Sequence, residues 1–244
     1  MKDFSVVMSL VDYIPVALFE AATVLLLRDM YNKMSKGAFA LFAAGTIDVI
    51  CAGILKATYK LMYALGLCDF EALSNVFFPM QSLGFMLAGI GMLALLCHRQ
   101  TPSSPSSEPK NPSKTSTIVS FAFLVIAVVF LLIKGDNKTG IAPVYFSGTF
   151  VFVALMIIGL GLMDTGLCIM SKKVGKPALI ALFIVSFFLC LCMGYLSSRD
   201  FTKASMNWIA ELVNTLGQGT LLIGAIQLHK NGFEELRLHG GETA

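Results

Sequence analysis

Seven apolar runs divide this chain, at residues 10–27, 38–57, 76–97, 118–133, 144–170, 178–196 and 208–228. A helix needs about 20 mostly apolar residues to cross the hydrocarbon of a bilayer. Six of the runs reach or approach that length unaided; the fourth has to borrow residues 115–117, and the fifth is long enough to tilt. Only 14% of the chain is charged and 56% is hydrophobic, with a mean hydropathy of +0.77. Soluble domains carry about 25% charged residues. What remains between the runs is too short to fold alone, which excludes a soluble catalytic, kinase or DNA-binding domain. The expected fold is an all-α polytopic membrane protein with seven transmembrane helices. The first run contains Pro15 and Glu20, lacks a small-x-small cleavage site and ends at Arg28, so it reads as a retained helix rather than a signal peptide.

Orientation follows from the basic residues, which concentrate on the cytoplasmic side. With the N-terminus outside, one side collects eleven of the 18 lysines and arginines: Arg28, Lys33, Lys36, Arg99, Lys110, Lys114, Lys172, Lys173, Lys176, Lys230 and Arg237. The other side holds Lys2, Lys60, Lys134, Lys138, Arg199 and Lys203, with Lys56 snorkelling toward it. The expected location is the plasma membrane, with the N-terminus outside and the C-terminus cytoplasmic. A net charge of +3 dispersed over loops implies no nucleic-acid partner. Residues 101–117 contain four prolines and many serines without an apolar anchor, which suits a flexible cytoplasmic linker and a docking point for a cytoplasmic partner. A second copy of the chain is the other protein partner expected. The six cysteines behave as small apolar residues and form no framework.

An internal duplication surrounds the linker. Gln81-Ser82-Leu83-Gly84, five residues, then Ile90-Gly91 recurs as Asn214-Thr215-Leu216-Gly217, five residues, then Ile223-Gly224. Asp69-Phe70 precedes the first copy and Asp200-Phe201 the second, with Tyr63 and Tyr195 before them. Met34-Ser35-Lys36 matches Met170-Ser171-Lys172, and the copies end on His98-Arg99 and His229-Lys230. The organisation is then a first three-helix repeat at residues 1–99, a linker at 100–117, a connector helix at 118–134, a second three-helix repeat at 140–230 and a tail at 231–244. Three helices is an odd number, so one inserted helix makes the two repeats parallel.

This three-plus-one-plus-three order resembles the SWEET sugar transporters, the wider PQ-loop group and the transporters of nicotinamide riboside. The resemblance covers nearly the whole chain at the level of topology. The Pro-Gln pair of the PQ-loop group is absent, since Val16 follows Pro15 and Val144 follows Pro143, and Trp208 is the only tryptophan. No family residue therefore carries over by motif; the resemblance implies transport of a small solute.

Polar groups inside apolar runs are costly and mark function. Glu20 and Asp48 each lie about halfway along their runs, so both reach mid-bilayer depth and could share one cavity, with one carboxyl protonated. That chemistry suits proton coupling or a cationic solute; hydrogen bonding for packing is the plainer alternative. Gln81 and Asn214 are the matched amides of the duplication, fit to bond a neutral polar ligand or to join helices. Asn207, Glu211, Asn214 and Gln218 form one polar stripe, with Trp208 beside it as a stacking surface or an interfacial belt residue. Asp164 reads as an interfacial partner of Lys172 or Lys173. Glycines gather in runs three, five and seven, for close crossings or hinges.

Several chemistries are excluded. The seventh run has no lysine before Lys230 for a retinal Schiff base, the three histidines lie outside the spans, and no Cys/His set has zinc spacing. Gly161-Leu162-Met163-Asp164 lacks the second glycine of an intramembrane aspartyl protease. Neither an enzyme nor a cofactor or metal is expected. The leading expectation is a transporter or permease for a small polar solute, proton-coupled through Glu20 or Asp48 and using Gln81, Trp208, Glu211, Asn214 and Gln218. The alternative is a seven-helix sensor or interaction subunit without flux.

Overall fold

A computed structural model describes residues 5–70, 72–97, 148–196 and 204–234. All regular structure among the described residues is helical. Helices α1 (Val6–Val11) and α2 (Tyr13–Met30) are separated only by Asp12 and together make one span; α3 is Lys36–Ala64, α4 Ala72–Asn75 and α5 Phe77–Cys97. Then come α6 (Gly148–Lys173), a 3-10 turn at Pro177–Leu179, α7 (Ile180–Leu196) and α8 (Ala204–Lys230). Six of the described helical segments are long and apolar enough to cross a membrane: Val6–Met30, Lys36–Ala64, Ala72–Leu96, Val151–Lys173, Pro177–Leu196 and Ala204–Lys230. The fourth apolar run, the linker at 101–117 and most of the tail lie outside the described residues.

Helix ends follow local chemistry. The Ser35 side chain accepts from the Ala38 amide at 3.2 Å and starts α3, satisfying one of the free N–H groups of a first turn. Gly66, at φ 70°, ends α3, and the Leu67 amide returns to the Met62 carbonyl at 3.0 Å, a left-handed cap that a side chain would strain. Gly232, at φ 86°, does the same for α8 and turns Phe233 back onto the core.

The six spans close into a ring. The spans α2, α3 and α5 pack antiparallel in order, as do α6, α7 and α8; α5 packs on α6, and α8 closes the circle against α2. The last two contacts are parallel. Gly89 meets Gly159 and Gly166 meets Met92 along α5 and α6; Gly219 lies by Leu18 and His229 bonds Asp29 along α8 and α2.

Glycines permit the closest crossings. A Cβ on Gly84 would lie 2.7 Å from the Gly45 carbonyl, and one on Gly91 would lie 2.8 Å from the Ala38 carbonyl. A Cβ on Gly159 would collide with the Phe85 and Met86 backbone. The tight-crossing role thus has direct contacts behind it at Gly84, Gly89, Gly91, Gly159, Gly166 and Gly224, whereas Gly161 and Gly219 have room.

Packing differs between the two ends. At the end carrying Met30, Met34, Phe42, Leu95, Met170, Leu228 and Phe233, the ring is filled by one apolar core. Toward the end carrying Lys60 and Asn207, polar and charged groups enter the interior.

Candidate functional site

The interior at the Lys60 end is a cavity of about 230 Å³ between α3, α5, α6, α7 and α8. Its polar lining is Lys56, Tyr59, Lys60, Ser74, Gln81, Asn207, Asn214 and Gln218; Phe77, Phe78, Phe85, Met156, Leu160 and Met193 supply the apolar walls. It extends from the helix ends at Lys60 and Asn207 to mid-height at Phe85 and Gln218.

Gln81 and Asn214, matched in the sequence, both line this cavity. The Gln218 amide donates to the Asn214 side-chain oxygen at 3.4 Å, and Gln218 is 9% exposed. These residues lie one turn apart on α8, so a single helical face presents both to the same space. Ser186 of α7 donates to the Gly217 carbonyl at 3.1 Å, fixing that face against its neighbour.

Beside the cavity lies a buried ion cluster. The Lys60 ammonium is 2.6 Å from Asp12 Oδ2 and 3.4 Å from Glu211 Oε1. Asp12, Lys60 and Glu211 are each 5% exposed. Three different segments meet here: the α1–α2 break, the last turns of α3, and the second turn of α8. A charge so enclosed persists because its partners replace water. Lys60, beyond the apolar run at 38–57, is thus helical and buried. Helix α3 runs 29 residues, about 43 Å, longer than the apolar run, because its extra turns carry a lysine whose charge is met inside. One turn earlier, the Lys56 ammonium lies 4.1 Å from the centroid of the Phe77 ring. Nearby, Tyr59 donates to Asp69 Oδ1 at 2.9 Å.

Other sequence candidates sit elsewhere. Glu20 is exposed, on the outward face of α2 with Ala17, Ala21 and Val24, and Asp48 is half-buried on α3. Neither lines the cavity. Equal depth along two helices says nothing of helical phase, and Glu20 follows the buried Phe19 by one residue, about 100° around the helix. Trp208 is 43% exposed and turns away, one residue after the lining Asn207. Glu211 reaches the site through Lys60. Asp164 is buried with no hydrogen-bond partner for either carboxylate oxygen among the described residues. It borders a cleft of about 540 Å³ between α6 and α7, and Lys172 and Lys173 are exposed without an ion pair to it.

A second polar cluster closes the opposite end. His229 Nδ1 is 2.9 Å from Asp29 Oδ1, joining α8 to α2. The Lys33 ammonium donates to the Asp29 and Glu234 carbonyls, each at 2.7 Å, and Arg28 lies 3.6 Å from the Glu234 carboxylate. Burial pushes the Lys33 ammonium below its ordinary pKa, against the raising pull of Asp29 and Glu234. The ligand atoms of Asp29, His229 and Glu234 lie within 4.8 Å of one another, a spacing a metal could use. Arg28 and Lys33 already supply positive charge there, and the cluster acts as a latch between the two helices.

Asp12, Lys56, Tyr59 and Lys60 are the site residues that sequence reasoning missed. The available signal was Lys56 and Lys60 at a four-residue spacing, one helical face, with acids in two other spans at the same depth. Comparison with protein families, curated proteins and solved structures found no match.

Proposed function

We propose that this chain is an integral membrane transporter of a small polar solute, bound in the cavity between Gln81, Asn214 and Gln218. The observation that carries the reading is that cavity: amides from two helices face a space of about 230 Å³ at one end of the ring, while an apolar core and the Asp29–His229 latch fill the other. A site set toward one end and sealed toward the other is what alternating access requires of one of its states.

The proposed topology is seven crossings, N-terminus outside, in two parallel units about the connector at 118–134. Its support is the parallel packing of α5 and α6. Residue 97 and residue 148 then lie at opposite ends of the ring, the arrangement that a seven-crossing topology expects. The ring contacts also pair off as a duplication demands, α5 with α6 corresponding to α8 with α2. The match is imperfect at Ser35, which caps α3, and Ser171, which lies inside α6 and donates to the Leu167 carbonyl.

Proton coupling, in this reading, moves from Glu20 and Asp48 to the buried cluster of Asp12, Lys60 and Glu211 beside the cavity. The test is uptake by proteoliposomes from a labelled mixture of amino acids, sugars, nucleosides and organic acids. The double variant Asn214→Leu/Gln218→Leu is expected to lower uptake about tenfold or more, the effect of removing buried ligand hydrogen bonds. Uptake equal to that of the unaltered protein would remove the cavity from the transport path.

A further inference from the structure

Four charged side chains cluster around the outer part of the cavity, but they are unevenly partnered. Lys60 takes both carboxylates, Asp12 at 2.6 Å and Glu211 at 3.4 Å. Lys56 lines the same cavity, and its ammonium lies over the Phe77 ring at 4.1 Å. No carboxylate comes within ion-pair distance of it, and no acceptor bonds it, among the described residues. An ammonium carries three donors, and the face of one ring satisfies it only partly. A cation within a membrane-spanning helix ordinarily pairs with an anion or a carbonyl. The quartet is neutral overall, since the Asp12–Lys60–Glu211 triad carries one surplus negative charge, but Lys56 presents to the cavity an ammonium whose donors no side chain at hydrogen-bond distance fills among the described residues.

We infer that the solute is a small organic monocarboxylate whose carboxylate pairs with Lys56 Nζ while its body lies among Phe78, Phe85 and the amides of Gln81 and Asn214. This rests on the cavity reading above and adds the charge class of its ligand. One ammonium with open donors suits a single carboxylate, because Lys60 is already committed and the described lining holds no arginine to fork onto a phosphate. The amides supply both donors and acceptors for further polar groups on the ligand. The aromatic and methionine walls take an apolar portion, as ligand pockets commonly do. A cavity of about 230 Å³ confines the class to small molecules.

The experiment is calorimetric titration of the purified full-length protein in detergent. The probes are small aliphatic, aromatic and amino carboxylates, each beside its primary amide, with phenyl phosphate as a dianionic comparison. At least one carboxylate is expected to bind about tenfold or more tightly than its amide and than phenyl phosphate, the effect of a charge-assisted hydrogen bond. Lys56→Gln abolishes that preference and Lys56→Arg keeps it, with the ligand-free melting temperature of each variant reporting its folding. Amides or phenyl phosphate binding as tightly, or a preference that survives in Lys56→Gln, overturns the carboxylate assignment and leaves the cavity as a binding site. Absence of binding by every carboxylate, amide and phosphate overturns the assignment and the cavity reading together.

Discussion

Lys60 shows how one residue can set the chemistry around it. Its ammonium replaces water with Asp12 and Glu211, so each of the three is tolerated only while the others remain. Removing one partner of a buried ion group leaves an uncompensated charge, at a cost of about 3–5 kcal/mol. Lys60→Met is expected to lower stability by that amount, measured as a fall in melting temperature in detergent, since it leaves two carboxylates facing each other. Glu211→Gln is expected to cost less, because Lys60 keeps its shorter bond to Asp12. Replacing all three by Leu or Met recovers most of the loss, because an apolar trio of similar volume carries no desolvation cost. If Lys60→Met melts with the unaltered protein, the cluster is not a stability element. Gln81 and Asn214 were legible from the sequence because an amide inside an apolar run is conspicuous. Lys60 was not, because a lysine near the end of a run reads as a loop residue until its partners are known.

At the scale of elements, the parallel contact of α5 with α6 rests on backbone approach. Gly89 and Gly159 sit where a side chain would meet the opposite main chain, and small residues at such points allow the close packing that holds helices together in lipid. Gly159→Leu is expected to separate the two helices and cost several kcal/mol, in the range of overpacked core positions. Gly161→Leu has room beside the Phe187 ring and should be tolerated. Comparing the melting temperatures of the two variants checks this, and equal losses would contradict it. The sequence placed glycines in these helices but could not say which faced a neighbour, since that depends on the crossing points.

For the whole molecule, the consequential feature is asymmetry along the bundle axis: a cavity toward Lys60, an apolar core toward Leu228. In a background without native cysteines, Ser74→Cys, at a half-buried position of the cavity lining, should react with a membrane-impermeant maleimide added outside intact cells. Ala225→Cys, at a position fully buried in the core, should not. Labelling of Ala225→Cys instead, or of Ser74→Cys only after the membrane is opened, would reverse the proposed orientation or access.

The amino-acid order by itself determined the helical class and the approximate spans, because apolar length is a one-dimensional property that the bilayer reads directly. It also marked Gln81, Asn214 and Gln218, whose burden in an apolar solvent is independent of the fold. Which polar groups meet was decided only by tertiary structure. Glu20 and Asp48 share a depth but not the cavity, whereas Asp12, Lys60 and Glu211 converge from three segments. Depth follows from counting residues; facing a common interior depends on helical phase and on which helices adjoin, and those are set by packing.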